Sequence, residues 1–440
     1  MKTNELQALA QSNIKGLVMR HAQDAAFYWM QRSSNTYSPL LTLERLAHFD
    51  GLLNAHLQGL RTAGDEGWQI ALANLRRWRS AGECFVASVL ALEHNEAARA
   101  DSVWQILRQD PEAMLDGMVS ALAWLRPEAA QRWIAAWLMP GATPMQQAAS
   151  LRAVGLRRTL PDLSLMPFFD ADEEEVRAAA AELAGRLRWR QYTLQVQALL
   201  KDESLSVRAA AAIAAPYLGL SASAALHQAA LEYNALSQSQ RGLRRDLSAE
   251  KALKLVRHWG MCLPHGDPAW MSGLQALPPR QMVLMLACHG NLACMPWLID
   301  ASQRPELARL CGWAISMLTG IDLEARGMSQ AAPEEPEASE ESERKRPVSD
   351  ADAGLPWPHH AALQAWWRQQ NAPQGRRVYG GAAEDAAHCL RVVSYAPQAA
   401  RYAAANALAL HHAQWPLFET RAASLEQQQE LARLLQALAA

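Results

Sequence analysis

Residues 172–187 read DEEEVRAAAAELAGRL, and residues 202–218 read DESLSVRAAAAIAAPYL. In each stretch an acidic turn is followed by Val-Arg, four alanines and further apolar residues. The two valines, Val176 and Val207, are 31 residues apart. A period of about 30 residues accommodates two short helices and the two turns that join them. The two stretches therefore predict an internal helical repeat.

The residue types at these positions have a physical reason. Acidic residues at a helix N-terminus cap free N–H groups and suit the positive end of the helix dipole. The four alanines allow neighbouring helices to approach closely, and the arginine in the first helical turn can reach an aspartate of an adjacent turn. One helical hairpin cannot bury its apolar face alone, so neighbouring units are expected to stack.

Further copies extend the pattern along the chain. A third unit at 146–158 lies about one period upstream, and weaker echoes occur at 305–320 and 397–410. Strong helix formers dominate the composition, and apolar residues recur at helical spacing instead of alternating at period two. We therefore predict an all-α fold, which resembles a solenoid of degenerate HEAT-like or PBS-lyase-type repeats with a disordered acidic insertion.

Changes in composition divide the chain into four predicted segments. Six glutamates lie between Glu334 and Glu343, followed by Arg-Lys-Arg. Because this stretch has almost no large apolar side chain, it cannot offset the entropy lost on ordering and is expected to be flexible. The segments are an N-terminal helical cap at 1–80, a repeat array at 81–324, the acidic linker at 325–354, and a Trp-rich segment with a further helical repeat at 355–440.

Charge and targeting signals limit the class of partner. The chain has 42 basic and 44 acidic residues, so it lacks the basic excess typical of proteins that bind nucleic acid or anionic lipid. No apolar run approaches the roughly 20 residues that span a bilayer, and the N-terminus lacks the apolar core of a secretory signal. The six cysteines show no disulfide-type spacing. We expect a cytoplasmic protein with reduced thiols and no membrane partner.

Signatures of catalysis or metal binding are weak throughout the chain. It has no glycine-rich phosphate loop, HExxH, paired CxxC or GxSxG elbow. Cys288 and His289, with Cys294 nearby, suggest a zinc site, but adjacent side chains on a helix point in different directions. The histidine dipeptides at 359–360 and 411–412 also lack the spacing of three or four that one helix face requires. We therefore predict no catalytic residue, no bound metal and no cofactor.

A cluster of aromatic and basic residues follows the acidic insertion. Trp, Arg and Tyr are enriched among the residues that dominate protein–protein binding energy. The alternative is that these side chains dock the segment onto the array and pack in its core, since large aromatic residues are mostly buried. The candidate protein-binding residues are Trp357, Trp366, Trp367, Arg376, Arg377 and Tyr379.

Four segments, at 43–64, 296–323, 355–367 and 375–381, resemble an uncharacterised proteobacterial family of HEAT-like proteins. The resemblance covers almost the whole chain, and SMLTGIDL and LPWP are its most distinctive elements. Members of that family are often associated with type VI secretion gene neighbourhoods, near spike and effector genes. The resemblance implies a cytosolic immunity protein, or an adaptor that holds an effector before loading. Its partner would be a secreted effector or a spike component.

Three classes of function follow from these observations. The first is a non-enzymatic protein-binding scaffold. The alternative is a HEAT-like nucleic-acid-binding protein of the alkylpurine DNA glycosylase type, which uses a cationic face with Trp and an acidic residue. This chain has the Trp but not the basic balance that phosphate binding requires. A chromophore lyase is suggested by repeat type alone, and a repeat fold does not transfer an activity.

Overall fold

The computed structural model describes residues 14–158, 163–265, 269–333, 350–370, 376–412 and 414–439. The chain divides into two compact units. Unit 1 comprises the residues up to Ser221 together with 417–440, and unit 2 comprises Ala222–Pro416. Because nearly all regular structure in the described residues is helical, the predicted all-α class is confirmed. The HEAT-like type of the repeats stays a prediction.

Unit 1 is built from helices joined by short turns. Two short 3-10 helices, at Arg190–Tyr192 and Ala215–Leu218, also belong to this unit. The α-helices are α1 Lys15–Ser34, α2 Leu43–Thr62, α3 Asp65–Trp78, α4 Ala81–Glu93, α5 Ala97–Leu107, α6 Pro111–Trp124, α7 Pro127–Trp137, α8 Pro144–Arg157, α9 Met166–Phe169, α10 Glu174–Arg186, α11 Thr193–Leu199, α12 Leu205–Ala214 and, at the end of the chain, α22 Ser424–Ala439.

The helices of unit 1 stack in a regular order. Helices α1, α4, α6, α8, α10 and α12 form a row in which each packs on the next. The shorter helices α5, α7, α9 and α11 each pack on the row helix that follows or precedes them in the chain. This arrangement buries the alanine-rich faces of α10 and α12, because small side chains let helix backbones come close together.

The internal repeat is visible in equivalent hydrogen bonds of α10 and α12. Arg177 donates from Nη1 to the carbonyl oxygens six and five residues earlier, at 2.8 and 2.7 Å. Arg208 makes the same two bonds, both at 2.9 Å. Arg177 also forms the predicted ion pair with the adjacent turn's Asp202, with Nε 2.8 Å from Oδ2. This side-chain hydrogen bond from Arg177 lowers the pKa of Asp202.

Unit 2 combines helices with two short β-ladders. A 3-10 helix at Leu292–Cys294 precedes α17. The α-helices are α13 Ser223–Ser239, α14 Gly242–Cys262, α15 Ala269–Leu274, α16 Pro279–His289, α17 Met295–Ala301, α18 Pro305–Thr319, α19 His360–Trp367, α20 Ala386–Tyr395 and α21 Gln398–His411. The strands are β1 Ser329–Gln330, β2 Trp357–Pro358, β3 Val378–Tyr379 and β4 Ala382–Ala383, which pair as β1 with β2 and β3 with β4, both antiparallel.

The core of unit 2 is a row formed by α14, α16 and α18. Helix α13 packs on α14, α17 on α18, and α19 on α17. Helix α21 contacts α14 and packs on α20. Among the described residues of the whole chain, no helix has both the length and the apolar character needed to cross a membrane.

The segments on either side of the acidic insertion pack on unit 2. Strands β1 and β2 pair across the insertion, and Asp352 forms a two-bond ion pair with Arg280, at 2.6 and 2.7 Å. Of the predicted flexible acidic linker at 325–354, residues 334–349 lie outside the described residues, whereas 325–333 and 350–354 lie within them. The predicted boundaries at 80, 324 and 354 stay predictions, whereas the division after Ser221 was not predicted. Residues 355–416 belong to unit 2, whereas the last helix, α22, belongs to unit 1.

Candidate protein-binding segment

The six candidate binding residues lie from β2 to β3, and they fall into two groups. The side chains of Trp357, Trp366 and Trp367 are half-buried, and Arg376 is exposed. In contrast, Arg377 is 7% exposed and Tyr379 is fully buried. The sequence cluster is therefore split by the fold into a part that solvent reaches and a part that belongs to the core of unit 2.

Trp357 lies on α18, and one face of its ring is covered. The guanidinium carbon of Arg309 is 4.9 Å from the ring centroid, a cation–π contact. Arg309 is itself held by Asp350, with Nη2 2.7 Å from Oδ1. Beneath the strand, a Cβ on Gly312 of α18 would lie 3.1 Å from Cδ1 of Leu323 and 3.4 Å from the Pro358 ring, so the strand packs closely on the helix here. Trp357 therefore serves mainly to dock β2.

Trp366 and Trp367 lie one helical turn after Leu363, the buried residue of α19. The helix is attached to α17 through His360, whose Nδ1 lies 3.0 Å from the carbonyl oxygen of Ile299. Leu363 is fully buried, and the two tryptophans follow it by three and four residues, so they flank the packed face. Their ring centroids are 6.0 Å apart with the planes tilted by 47°. Both rings are half-buried, so solvent reaches part of their surface on a helix that is itself packed.

Arg377 satisfies backbone carbonyls at the ends of two helices. Its Nη1 donates to the carbonyl oxygen of His289 at 2.7 Å and of Gly260 at 3.2 Å. Its Nη2 donates to the carbonyl oxygen of Leu263. These groups belong to the C-termini of α16 and α14, where carbonyls lack partners within the helix and the dipole favours a cation. The arginine therefore caps two helices from outside them.

The β3–β4 hairpin is fastened beside this cap. The Tyr379 hydroxyl donates to the carbonyl oxygen of Cys288 at 2.6 Å, and the Val378 N–H donates to that of Gly290 at 2.9 Å. Gly290 has a φ of +74°, and a Cβ there would come within 3.3 Å of Tyr379 and Arg377. Burial raises the pKa of Tyr379. Arg377 and Tyr379 thus hold the hairpin in the core instead of facing a partner.

Glu384 is an acidic residue with a largely buried side chain next to Arg377, and no sequence pattern predicted it. Its Oε2 is 4.0 Å from Nε of Arg377, and its Oε1 is 3.7 Å from Nε2 of His412. Within the described residues, neither Glu384 Oε1 nor His412 Nε2 has a hydrogen-bond partner. Burial raises the pKa of Glu384 to about 7, although Arg377 opposes the shift. No local motif marks this glutamate, because its surroundings come from distant parts of unit 2.

Replacing Glu384 with glutamine is expected to stabilise unit 2 above neutral pH. Because the folded-state pKa lies near 7, against about 4.3 in an unfolded chain, the folded protein holds this proton more tightly. The contribution of Glu384 to stability is therefore complete below about pH 4.3 and is lost as the pH rises to 7. Urea unfolding should show Glu384→Gln more stable than wild type by about 1–2 kcal/mol at pH 8.

The control for this change is Glu324→Gln, which removes a charge from an exposed position of the same unit. It should leave the free energy of unfolding unchanged to within about 0.5 kcal/mol at both pH 4.5 and pH 8. A Glu384→Gln protein that is less stable than wild type at pH 8 would contradict the assignment of Glu384 as a destabilising buried charge.

The cysteines near the segment are not activated for chemistry. Burial raises the pKa of the Cys288 thiol to about 11 and those of Cys294 and Cys311 to about 12. Because the thiolate is the reactive form, these groups behave as core side chains. In the part of the chain that the structure describes, no three His, Cys, Asp or Glu side chains are grouped so as to hold a metal ion.

Comparison with known proteins adds no further assignment. No protein-family model matches the chain, and neither a curated protein nor a solved structure matches it. The resemblance to a type VI secretion-associated family therefore stays a prediction.

Proposed function

We propose that this protein is a non-enzymatic scaffold of stacked HEAT-like repeats that binds another protein, and that Trp366 and Trp367 anchor the partner. The observation that carries this proposal is the adjacent, half-buried pair of rings on a helix fastened by Leu363 and His360. Large rigid side chains that are already held in place lose little entropy when a partner covers them.

The other candidate residues take different roles in this proposal. Trp357 has one face covered by Arg309, and Arg377 and Tyr379 are used in the core. Arg376 is exposed and sits one residue before the buried arginine. The proposed anchor is therefore the tryptophan pair, with Arg376 available to an acidic group of the partner.

The resemblance to the type VI secretion-associated family supports a partner class. We propose that the partner is a secreted effector or a spike component and that the two meet in the cytoplasm. An immunity protein would cover the active site of a toxic effector, whereas an adaptor would hold the effector before loading. A stacked helical array suits either role, because its preformed surface lowers the ordering cost of binding.

One observation favours the alternative of nucleic-acid binding. Residues 76–79, of sequence Arg-Arg-Trp-Arg, are all exposed at the end of α3. The guanidinium carbon of Arg77 lies 4.7 Å from the centroid of the Trp78 ring. Exposed arginines beside an aromatic ring can bind phosphates and stack on bases. The near-neutral charge of the whole chain makes this the second candidate.

Affinity capture from the native host, with neighbouring genes co-expressed, tests the leading proposal. We expect a stoichiometric protein partner with the wild-type chain and at least a roughly tenfold lower recovery with Trp366→Ala/Trp367→Ala, since central tryptophans contribute about 2 kcal/mol or more each. Trp78→Ala removes an exposed tryptophan from unit 1 and should leave recovery unchanged. Circular dichroism verifies that each variant is folded.

The outcomes of this capture separate the two candidate functions. Equal recovery with the double variant, or no specific protein at all, would contradict the tryptophan anchor. Recovery of nucleic acid, with release by salt and loss of recovery in Trp78→Ala, would favour nucleic-acid binding over protein binding. If a toxic effector is recovered, rescue of its toxicity by this protein distinguishes immunity from an adaptor role.

A further inference from the structure

Two histidines of unit 1 face each other across the contact between α1 and α2. Nδ1 of His21 lies 3.0 Å from Nδ1 of His56, although the two residues are 35 positions apart in the sequence. Both side chains are half-buried, so solvent reaches the pair. The spacing of histidines along a single helix does not reveal this pair, because each helix contributes one of them. Side chains on facing helices are a common source of metal ligands in helical proteins.

Both imidazole rings are held in place by their surroundings. The His21 ring lies directly over Gly59 of α2, where a Cβ would come within 2.6 Å of the ring atom Cδ2. The His56 ring is stacked on Tyr28, with the ring centroids 5.6 Å apart and the planes 23° from parallel. The glycine therefore makes room for one ring, and the tyrosine supports the other. Donors that are already held in position lose little entropy when they bind a ligand.

The separation of the two nitrogens suits a shared cation as well as a shared proton. A neutral imidazole has one N–H and one nitrogen with a free lone pair, so the contact between the two Nδ1 atoms holds one proton when no ligand is bound. Two imidazole nitrogens that bind one cation at about 2.0–2.1 Å are separated by roughly 2.9–3.4 Å, depending on the coordination angle. The observed 3.0 Å lies in this range. Replacement of the shared proton by a cation therefore requires only a small movement of either ring.

A carboxylate lies next to the second nitrogen of His56. Oδ2 of Asp24 is 3.9 Å from Nε2 of His56, whereas Nδ1 of the same ring faces His21. A carboxylate beside the free N–H of a metal-binding histidine fixes its tautomer and makes the imidazole a stronger ligand. Burial lowers the pKa of His56, with Asp24 opposing this shift and His21 adding to it. The ring is therefore neutral at neutral pH, as a metal ligand must be.

From this arrangement we infer that His21 and His56 form a site for a divalent late transition-metal cation, and that Asp24 supports His56 as its ligand. Imidazole donors favour Ni²⁺, Cu²⁺ and Zn²⁺, whereas Mg²⁺ and Ca²⁺ prefer oxygen. Because the described residues offer no group of three His, Cys, Asp or Glu side chains suited to a metal, the remaining coordination positions are open to water. A bound cation would join α1, the first helix of the row, to α2. The site belongs to unit 1, so the inference does not rest on the tryptophan pair of unit 2.

Isothermal titration calorimetry of the full-length chain with Ni²⁺ tests this inference. We expect the wild type to bind one Ni²⁺ at this site, and His21→Gln and His56→Gln each to weaken that binding about a hundredfold, because a single imidazole cannot chelate. His48→Gln removes an exposed histidine from α2 and should bind as the wild type does. Mg²⁺ should not displace Ni²⁺. Binding that is absent from the wild type, or unchanged in His21→Gln/His56→Gln, would overturn the inference.

A variant that keeps both imidazoles tests the site without disturbing the packing of the rings. Asp24→Asn should weaken Ni²⁺ binding about tenfold, the usual cost of losing a carboxylate that supports a metal-binding histidine. Glu44→Gln removes a negative charge from an exposed position of α2 and should leave the affinity unchanged. Equal weakening by the two substitutions would show that only net charge matters and would contradict the role of Asp24.

Amide hydrogen exchange distinguishes a cation bound between the two helices from one bound to histidines elsewhere. At free Ni²⁺ of about ten times its Kd, the amides of α1 and α2 that exchange when these helices separate should exchange about tenfold more slowly. The amides of α18 in unit 2 should be unaffected, as should those of α1 and α2 in His21→Gln/His56→Gln. Binding of Ni²⁺ without slower exchange in α1 and α2 would show that the histidine pair is only a hydrogen-bonded contact and would overturn the inference.

Discussion

Arg377→Met is expected to lower the free energy of unfolding of unit 2 by about 3–5 kcal/mol, the cost of removing one member of a buried charged network. The methionine fills much of the same volume but donates no hydrogen bond. The carbonyl oxygens of Gly260, Leu263 and His289 would then lose a charged donor at two helix ends. Glu384 would also lose the cation nearest to it.

Arg376→Met is the matched control, because it makes the identical chemical change one residue earlier. Its side chain is exposed, so we expect a change of no more than about 0.5 kcal/mol. Urea unfolding, followed by hydrogen exchange of the amides in α14 and α16, reports on unit 2 specifically. Similar effects of the two substitutions would show that Arg377 does not cap these helices as described.

Glu419→Gln is expected to destabilise unit 1 by a comparable amount, about 3–5 kcal/mol at pH 7. Glutamine keeps the size of the side chain but removes the buried negative charge that Arg186 and Arg421 share, and only Arg186 has a second carboxylate partner in the described contacts, Glu182. Breaking one member of such a group costs more than the group contributes as a whole, because the remaining charges stay desolvated. Glu175→Gln, at an exposed position of α10, should have little effect.

The destabilisation by Glu419→Gln should disappear in acid. Burial opposes ionisation of Glu419, but Arg421 and Arg186 lower its pKa to about 2. Its stabilising contribution is therefore present above the unfolded value of about 4.3 and is lost as the pH falls towards 2. The free energies of unfolding of wild type and variant should show their full difference at pH 6 and become nearly equal near pH 2.5. A constant difference across this range would contradict the role of the carboxylate charge.

The position of the tryptophan pair could be anticipated only in part from the sequence. The residue types around 355–381 indicated either an interface or a docked core, and the structure buries Arg377 and Tyr379 but leaves Arg376 exposed and the tryptophans half-buried. Arg376 and Arg377 are chemically identical neighbours, yet one is exposed and the other caps two helices. Nothing local distinguishes them, because the carbonyls that Arg377 binds lie 88 to 117 residues away in the chain.

By itself, the sequence determined that the chain is helical and that α10 and α12 are equivalent units. Helix propensity, capping and the spacing of Val176 and Val207 can be read directly from the residue types and their positions in the sequence. Tertiary structure alone decided that unit 2 begins after Ser221 and that α22 returns to unit 1. Such pairings depend on which distant surfaces complement each other in shape and charge. That information is spread over hundreds of residues, and no single stretch contains it.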